Sequence, residues 1–220
     1  MSDLCLIIGQ SGTGKSRSIF NLDPKETMVI STIEKPLPFR GWKQKYKKLT
    51  KENGGNLFYS DDHIDILKTL KYIDEKRKEI KIIVIDDFQY LMVNEFMRKH
   101  SSVSKGNAVF GLYNEIADHA WSILWEVRFL RSDLMIFVLA QNEIDDSGRA
   151  KIKTIGRLLD EKITIEGMFS IVLNTAYEDE KYFFETQTNG LNTTKSPEGM
   201  FNERRIPNDL KIVCEAIKNY

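Results

Sequence analysis

Gly9-Gln10-Ser11-Gly12-Thr13-Gly14-Lys15-Ser16 constrains this chain more than any other stretch of its 220 residues. The uninterrupted apolar run Leu4-Cys5-Leu6-Ile7-Ile8 leads into it, and Ser16 to Asn21 reads as a short helix stopped by Asp23-Pro24. A strand apolar on both faces belongs inside a parallel sheet covered by helices, so the chain is expected to be α/β. Strand, glycine-rich turn and helix in this order make a phosphate cradle. Glycines let successive backbone N–H groups converge on an anion, and the helix start adds positive potential. Lys15 then reaches the outer phosphates, the Ser16 hydroxyl is the type of ligand a magnesium ion takes, and the contact set runs from Gly9 to Arg17.

The rest of the chain continues the alternation. Thr27 to Ile33 is β-branched and strand-like, Lys35 to Asn56 is an irregular Pro- and Lys-rich stretch, and Asn56 to Ser60 adds a short strand. Ile64, Leu67, Leu70 and Ile73 fall at helical spacing, predicting a helix over 61–79 capped by Asp61 or Asp62. A buried strand at 82–85 ends in Asp86-Asp87. After a polar loop at 101–107 comes a long helix through Ile116, Ile123 and Leu130, on which Trp121, Trp125 and Phe129 read as packing. A strand over 134–139 ends at Gln141, and a polar loop spans 142–150. Strand-like segments follow at 162–165, 169–175 and 181–186, the last two resembling a hairpin, and a closing helix covers 208–219. The chain reads as one domain, with its core at 1–190 and a turn and helix at 191–220.

An acid that ends an apolar strand lies at the carboxyl edge of the sheet, where open α/β folds bind ligands. Asp86 is therefore the expected magnesium carboxylate beside Ser16. Two acids compete as the base that activates water, Asp87 next to it and Glu34 after the second strand. Gln141 is placed to sense the terminal phosphate and report to the loop behind it. The site is a nucleoside triphosphate site, with ATP and Mg²⁺ as the expected ligands.

In this order the motifs resemble RecA-like P-loop NTPases, in particular the short phage-encoded relatives of RecA that act in recombination and single-strand annealing. The resemblance spans roughly residues 1–190 and implies a mostly parallel sheet flanked by helices, with an antiparallel hairpin towards the C-terminus. It implies that Glu34 is the base, that Gln141 couples nucleotide to a DNA-binding loop, and that Lys151 and Lys153 reach the γ-phosphate of a neighbouring subunit. The nucleotide then lies near the interface of a homo-oligomer. An AAA+ domain is disfavoured, since 191–220 is too short for a helical lid and Asp86-Asp87 stands where Asp-Glu would. The loop after Gln141 is short, which suits annealing better than strand exchange.

Arg40 to Lys51 holds six cations and no acid, with Trp42 and Tyr46 interleaved, the composition of a single-stranded DNA contact. Arg98, Lys99 and Lys105 form a second candidate, and Arg149, Lys151, Lys153 and Arg157 a third basic group. Lys plus Arg and Asp plus Glu are both 32, which excludes a polycation that coats nucleic acid and makes the local asymmetry informative. Two distant cysteines, no apolar run long enough to span a membrane and no leader pattern at the start predict a cytoplasmic protein with reduced thiols and no membrane partner. The leading expectation is an ATPase acting on single-stranded DNA in recombination, annealing or replication. The alternatives are a nucleotide-switched regulator or loader working through a protein partner, and a small-molecule kinase.

Overall fold

The apolar run ahead of the glycine loop becomes a central strand. The computed structural model describes residues 2–103, 106–156 and 158–220. In chain order the strands and α-helices are β1 (Asp3–Gly9), β2 (Thr27–Ser31), α1 (Trp42–Lys45), β3 (Leu57–Tyr59), α2 (His63–Lys76), β4 (Ile82–Asp86), α3 (Gln89–Lys99) and α4 (Asn107–Glu126). They continue with β5 (Met135–Ile144), β6 (Ala150–Ile152), β7 (Ile171–Glu178), β8 (Lys181–Glu185), β9 (Arg205–Pro207) and α5 (Leu210–Asn219). A 3₁₀ helix, Ser16–Asn21, follows the glycine loop and ends where the Leu22 N–H bonds to the Ile19 carbonyl.

Among the described residues the strands form one sheet in the order β3-β2-β4-β5-β1-β7-β8-β9, with β6 paired to β5. The pairs from β3 through β7 are parallel, while β7–β8, β8–β9 and β5–β6 are antiparallel. Alternate residues of each buried strand feed two cores. Leu6, Ile8, Ile30, Ile83 and Val138 pack beneath α2, α3 and α4. Ile7, Val29, Val84, Phe137 and Leu173 pack beneath the 3₁₀ helix, the 37–46 segment and α5. Each such side chain contributes about 1.5–3 kcal/mol by leaving water, so the register of β1 is fixed by both faces.

That register builds the ligand edge. Gly9 stands opposite Gln141 on β5, and Ser31 opposite Asp86 on β4. Because β5 lies between β1 and β4, its end forms the floor between the glycine loop and the acid pair.

The structure departs from the sequence reading in several places. The 142–150 segment is not a loop: β5 runs on to Ile144 and returns through a turn as β6. Residues 162–165 are not a strand but belong to two successive helical turns, Leu158–Ile163 and Ile165–Met168. Helix α3 and strand β9 were not expected, and α1 interrupts the stretch read as irregular. Asp62 caps α2, its carboxylate accepting the Ile64 N–H at 2.8 Å, whereas Asp61 binds Asn94 and Arg98. Trp121 packs on the core, but Phe129 is 62% exposed. Cys5 and Cys214 are buried and unpaired, and burial raises both thiols well above their ordinary pKa. No α-helix among the described residues is long and apolar enough to cross a membrane.

Candidate functional site

Gly12 and Gly14 hold positive φ of 85° and 100°, so the loop turns in conformations that side chains disfavour. Gly9 is required for space: a Cβ there would lie 1.9 Å from Thr175 Oγ1. The Thr175 hydroxyl is hydrogen-bonded to Thr13, tying the loop to β7. Lys15 folds back over the loop, its Nζ donating to the Gly9 and Gln10 carbonyls at 2.8 Å each. Burial pushes this ammonium down to about 8, against the pull of Asp86 and Asp87, while Lys35 adds to the depression. A buried cation held, among the described residues, by two carbonyl oxygens is a group that an anion would stabilise.

The Ser16 hydroxyl donates to Asp86 Oδ1 at 2.9 Å. Asp86 is buried, and its Oδ2 has no hydrogen-bond partner among the described residues. Burial first, and the neighbouring Asp87 second, raise its carboxyl above the ordinary carboxylate range. An orphaned carboxylate oxygen beside a hydroxyl is a hard-oxygen donor pair suited to Mg²⁺, which keeps several of its own waters. The residues present therefore fit the ion, and Ser16 and Asp86 are the ones that would hold it.

Asp87 has φ +60°, a backbone cost of about 1–2 kcal/mol for a non-glycine residue. The turn is held by its N–H on Asp86 Oδ1 at 3.1 Å and its carbonyl on the Thr32 hydroxyl at 2.6 Å. Such strain concentrates where position matters for function. Its carboxylate ion-pairs with Lys35. Burial opposes the charge on Lys35, but the Asp87 carboxylate outweighs it and holds the ammonium above its ordinary value.

Ser11, Gly12, Gly14, Lys15, Ser16 and Arg17 line a cleft of about 390 Å³, with Asp87, Lys35 and Gln141 on its far wall and Tyr182 on the near one. This is within the range of small-molecule sites. Gln141 is fixed from both sides. Its N–H donates to Gln89 Oε1 at 3.0 Å, and its carbonyl accepts the Lys153 N–H at 2.8 Å.

The other expected residues lie outside this lining. Glu34 is exposed, and its carboxylate pairs with Lys48 at 3.0 Å. Lys151 sits on β6, 3.7 Å from Glu143, and the Lys153 side chain is exposed. Tyr46 is buried beside Phe39, which removes its ring from any stacking surface, while Trp42 is half-buried. Lys99 is held by Glu95 and Glu115, and Arg98 by Asp61. Lys105 and Arg157 lie outside the described residues. Sequence reasoning missed Lys35, Thr175 and Tyr182. Lys35 had a cue in its position one residue beyond Glu34, whereas Thr175 and Tyr182 are brought in by strand order alone.

A family model described as an AAA domain matches residues 3–201. The chain belongs to the AAA domain family. This makes it a P-loop NTPase by family and a nucleotide-binding ATPase in general type. The expectation against an AAA domain is overturned at the level of the family by this match over residues 3–201. After β8 the chain forms β9 and α5, packed against the sheet and the 3₁₀ helix. No relative was found among curated proteins by sequence search.

Proposed function

We propose that this AAA-family chain is a magnesium-dependent, RecA-like ATPase that acts on single-stranded DNA in recombination, annealing or replication. Support for the chemistry comes from the Ser16–Asp86 hydrogen bond, which unites the glycine loop with the acid strand in one cleft. When bound, magnesium supplies charge neutralisation at the phosphate oxygens. The loop amides and Lys15 orient the phosphates, Gln141 faces the far end of the cleft, and burial keeps bulk water from the acid pair. Asp87 is the acid positioned to take a proton from water, with Lys35 holding its carboxylate in place. Lys151 and Lys153 are the cations offered to a neighbouring subunit of a homo-oligomer.

The DNA reading rests on continuity of one segment. Lys35 and Pro38 line the cleft, and the same stretch continues into Arg40, Lys43, Lys47 and Lys51, all exposed. Cations on this segment neutralise backbone phosphates, and the segment is continuous in the chain with Lys35, which pairs with Asp87. Lys48 ties the segment to Glu34 as well. ATP hydrolysis measured with and without single-stranded DNA tests this. Stimulation that disappears in Lys43→Ala/Lys47→Ala supports it. An unchanged rate with no DNA binding at low salt overturns the DNA reading in favour of a nucleotide-switched regulator. The exposed Trp125 and Phe129 would suit a protein partner of that kind. Asp87→Asn and Glu34→Gln compared in the same assay assign the base, and the larger loss is expected in Asp87→Asn.

A further inference from the structure

The phosphate cleft has two unlike ends. Asp87 and Gln141 stand on the β4–β5 side of the glycine loop, whereas Arg17 and Tyr182 stand on the β8 side. A triphosphate whose reacting end faces Asp87 therefore sends its sugar and base towards Arg17 and Tyr182. These two residues also begin a second cavity of about 500 Å³, between the 3₁₀ helix and the β8–β9 edge. Resting on the ATPase reading above, we propose that this cavity is the nucleobase subsite, with Tyr182 its stacking surface and Asn208 the group that selects adenine.

Tyr182 is half-exposed and carries an aromatic face. The Arg17 guanidinium lies 4.7 Å from its ring centroid, and the Tyr177 ring packs 4.5 Å away. A base stacks on such a ring whatever its identity, so Tyr182 gives affinity without selectivity. Selectivity needs a polar edge, and Asn208 provides one. It is 4% exposed, and neither its Oδ1 nor its Nδ2 has a hydrogen-bond partner among the described residues. Its backbone, by contrast, is fully engaged with the two platform residues. The N–H donates to the Tyr182 carbonyl at 3.2 Å, and the carbonyl accepts Arg17 Nη1 at 3.4 Å.

The seam between the two cavities is tight. A Cβ on Gly14 would meet Tyr182 Cδ1 at 2.8 Å and Asn208 Oδ1 at 2.9 Å, so ring and carboxamide both abut the phosphate loop. Such a carboxamide offers an NH₂ donor group beside a carbonyl acceptor. Adenine presents the complementary pair on its N6/N7 edge, while guanine presents two acceptors there.

Equilibrium binding of ATP, GTP and inorganic tripolyphosphate, each with Mg²⁺, separates the parts. ATP is expected to bind at least about tenfold more tightly than tripolyphosphate, the gain of one stacked base, and more tightly than GTP. Tyr182→Ala should weaken ATP at least about tenfold more than it weakens tripolyphosphate, and a melting temperature close to that of the native chain shows that the variant is folded. Tyr182→Phe should restore the difference. Asn208→Ala and the near-isosteric Asn208→Asp should abolish the preference for ATP over GTP. Equal binding of ATP and tripolyphosphate by the native chain, or discrimination unchanged in these variants, overturns the subsite while leaving the phosphate loop standing. Binding of neither ligand would instead overturn the ATPase reading, and the subsite with it.

Discussion

At the scale of single residues the site is built from positions where one atom too many does damage. Gly9 and Gly12 both belong to the phosphate motif, yet they are glycine for different reasons. A methyl at Gly9 collides with Thr175 Oγ1, whereas at Gly12 it meets nothing within 4 Å and only the φ of +85° is costly. Gly9→Ala is therefore expected to cost about 1–3 kcal/mol by overpacking, lowering the melting temperature by several degrees on the scale for a chain of this size. The variant should also lose nucleotide affinity. Melting curves with and without ATP check both, and Gly12→Ala should keep its affinity better than Gly9→Ala. The loop was legible in the sequence because phosphate binding demands its residue types at adjacent positions. Thr175 and Tyr182 were not, since each reaches the loop through the sheet from far along the chain, and Lys35 enters through its pairing with Asp87.

Among the elements, those with continuous apolar runs were readable and those with polar, half-exposed arms were not. β1, β2 and β4 announce themselves by burial on both faces, and α2 by its capping acid and helical spacing. The β5–β6 hairpin hid because Asn142, Glu143 and Lys151 carry its arms, so the whole of 142–150 reads as a polar loop. Helix α3 hid because its inner face includes Gln89 and Glu95, both buried. Glu95 joins α3 to α4 through His119 at 2.9 Å, Lys99 donates to Glu95 at 2.7 Å within α3 and reaches Glu115 of α4 at 2.9 Å, and the His119 ring stacks on His63 of α2. Burial works against ionised Glu95, but the hydrogen bonds from Lys99 and His119 prevail and hold its carboxyl below its ordinary value. Burial, then His119 and Lys99, lower His63, against the opposing pull of Asp62 and Glu95.

Both shifts have the same sign for stability. Each group binds a proton more readily in the unfolded chain, so stability falls as acid is added. For His63 the loss begins as pH drops through about 6.5. For Glu95 the contribution is complete above about pH 4.5 and goes as pH falls through its lower folded value. Melting temperature should thus decline from pH 7 towards pH 5. His63→Phe, which keeps a ring to stack and removes the titration, should flatten that part of the profile. An unaltered slope in the variant would show that the three-helix junction does not sense pH through His63.

On the scale of the whole molecule, one mostly parallel sheet accounts for the location of the chemistry. Its carboxyl edge collects the glycine loop, the acid pair and Gln141, its β8–β9 flank supplies an aromatic wall, and the cationic 40–51 segment extends from the cleft. Equal totals of acidic and basic residues leave the molecule without a large net field, so its interactions depend on such local patches and weaken with salt. The architecture, the phosphate loop, Asp87 and Gln141 could be read in advance from local pattern, whereas Lys35, the Tyr182 wall and the family assignment needed the assembled fold and the comparison. The central claim is that Lys15, Ser16 and Asp86 form one magnesium–triphosphate site. It is tested most directly by phosphate release from ATP with Mg²⁺ or with EDTA, in the native chain and in Lys15→Ala. Hydrolysis that needs Mg²⁺ and falls by about 10²-fold or more in the variant is the predicted result, on the scale of removing one charge-stabilising donor. Equal rates in the two chains would contradict it.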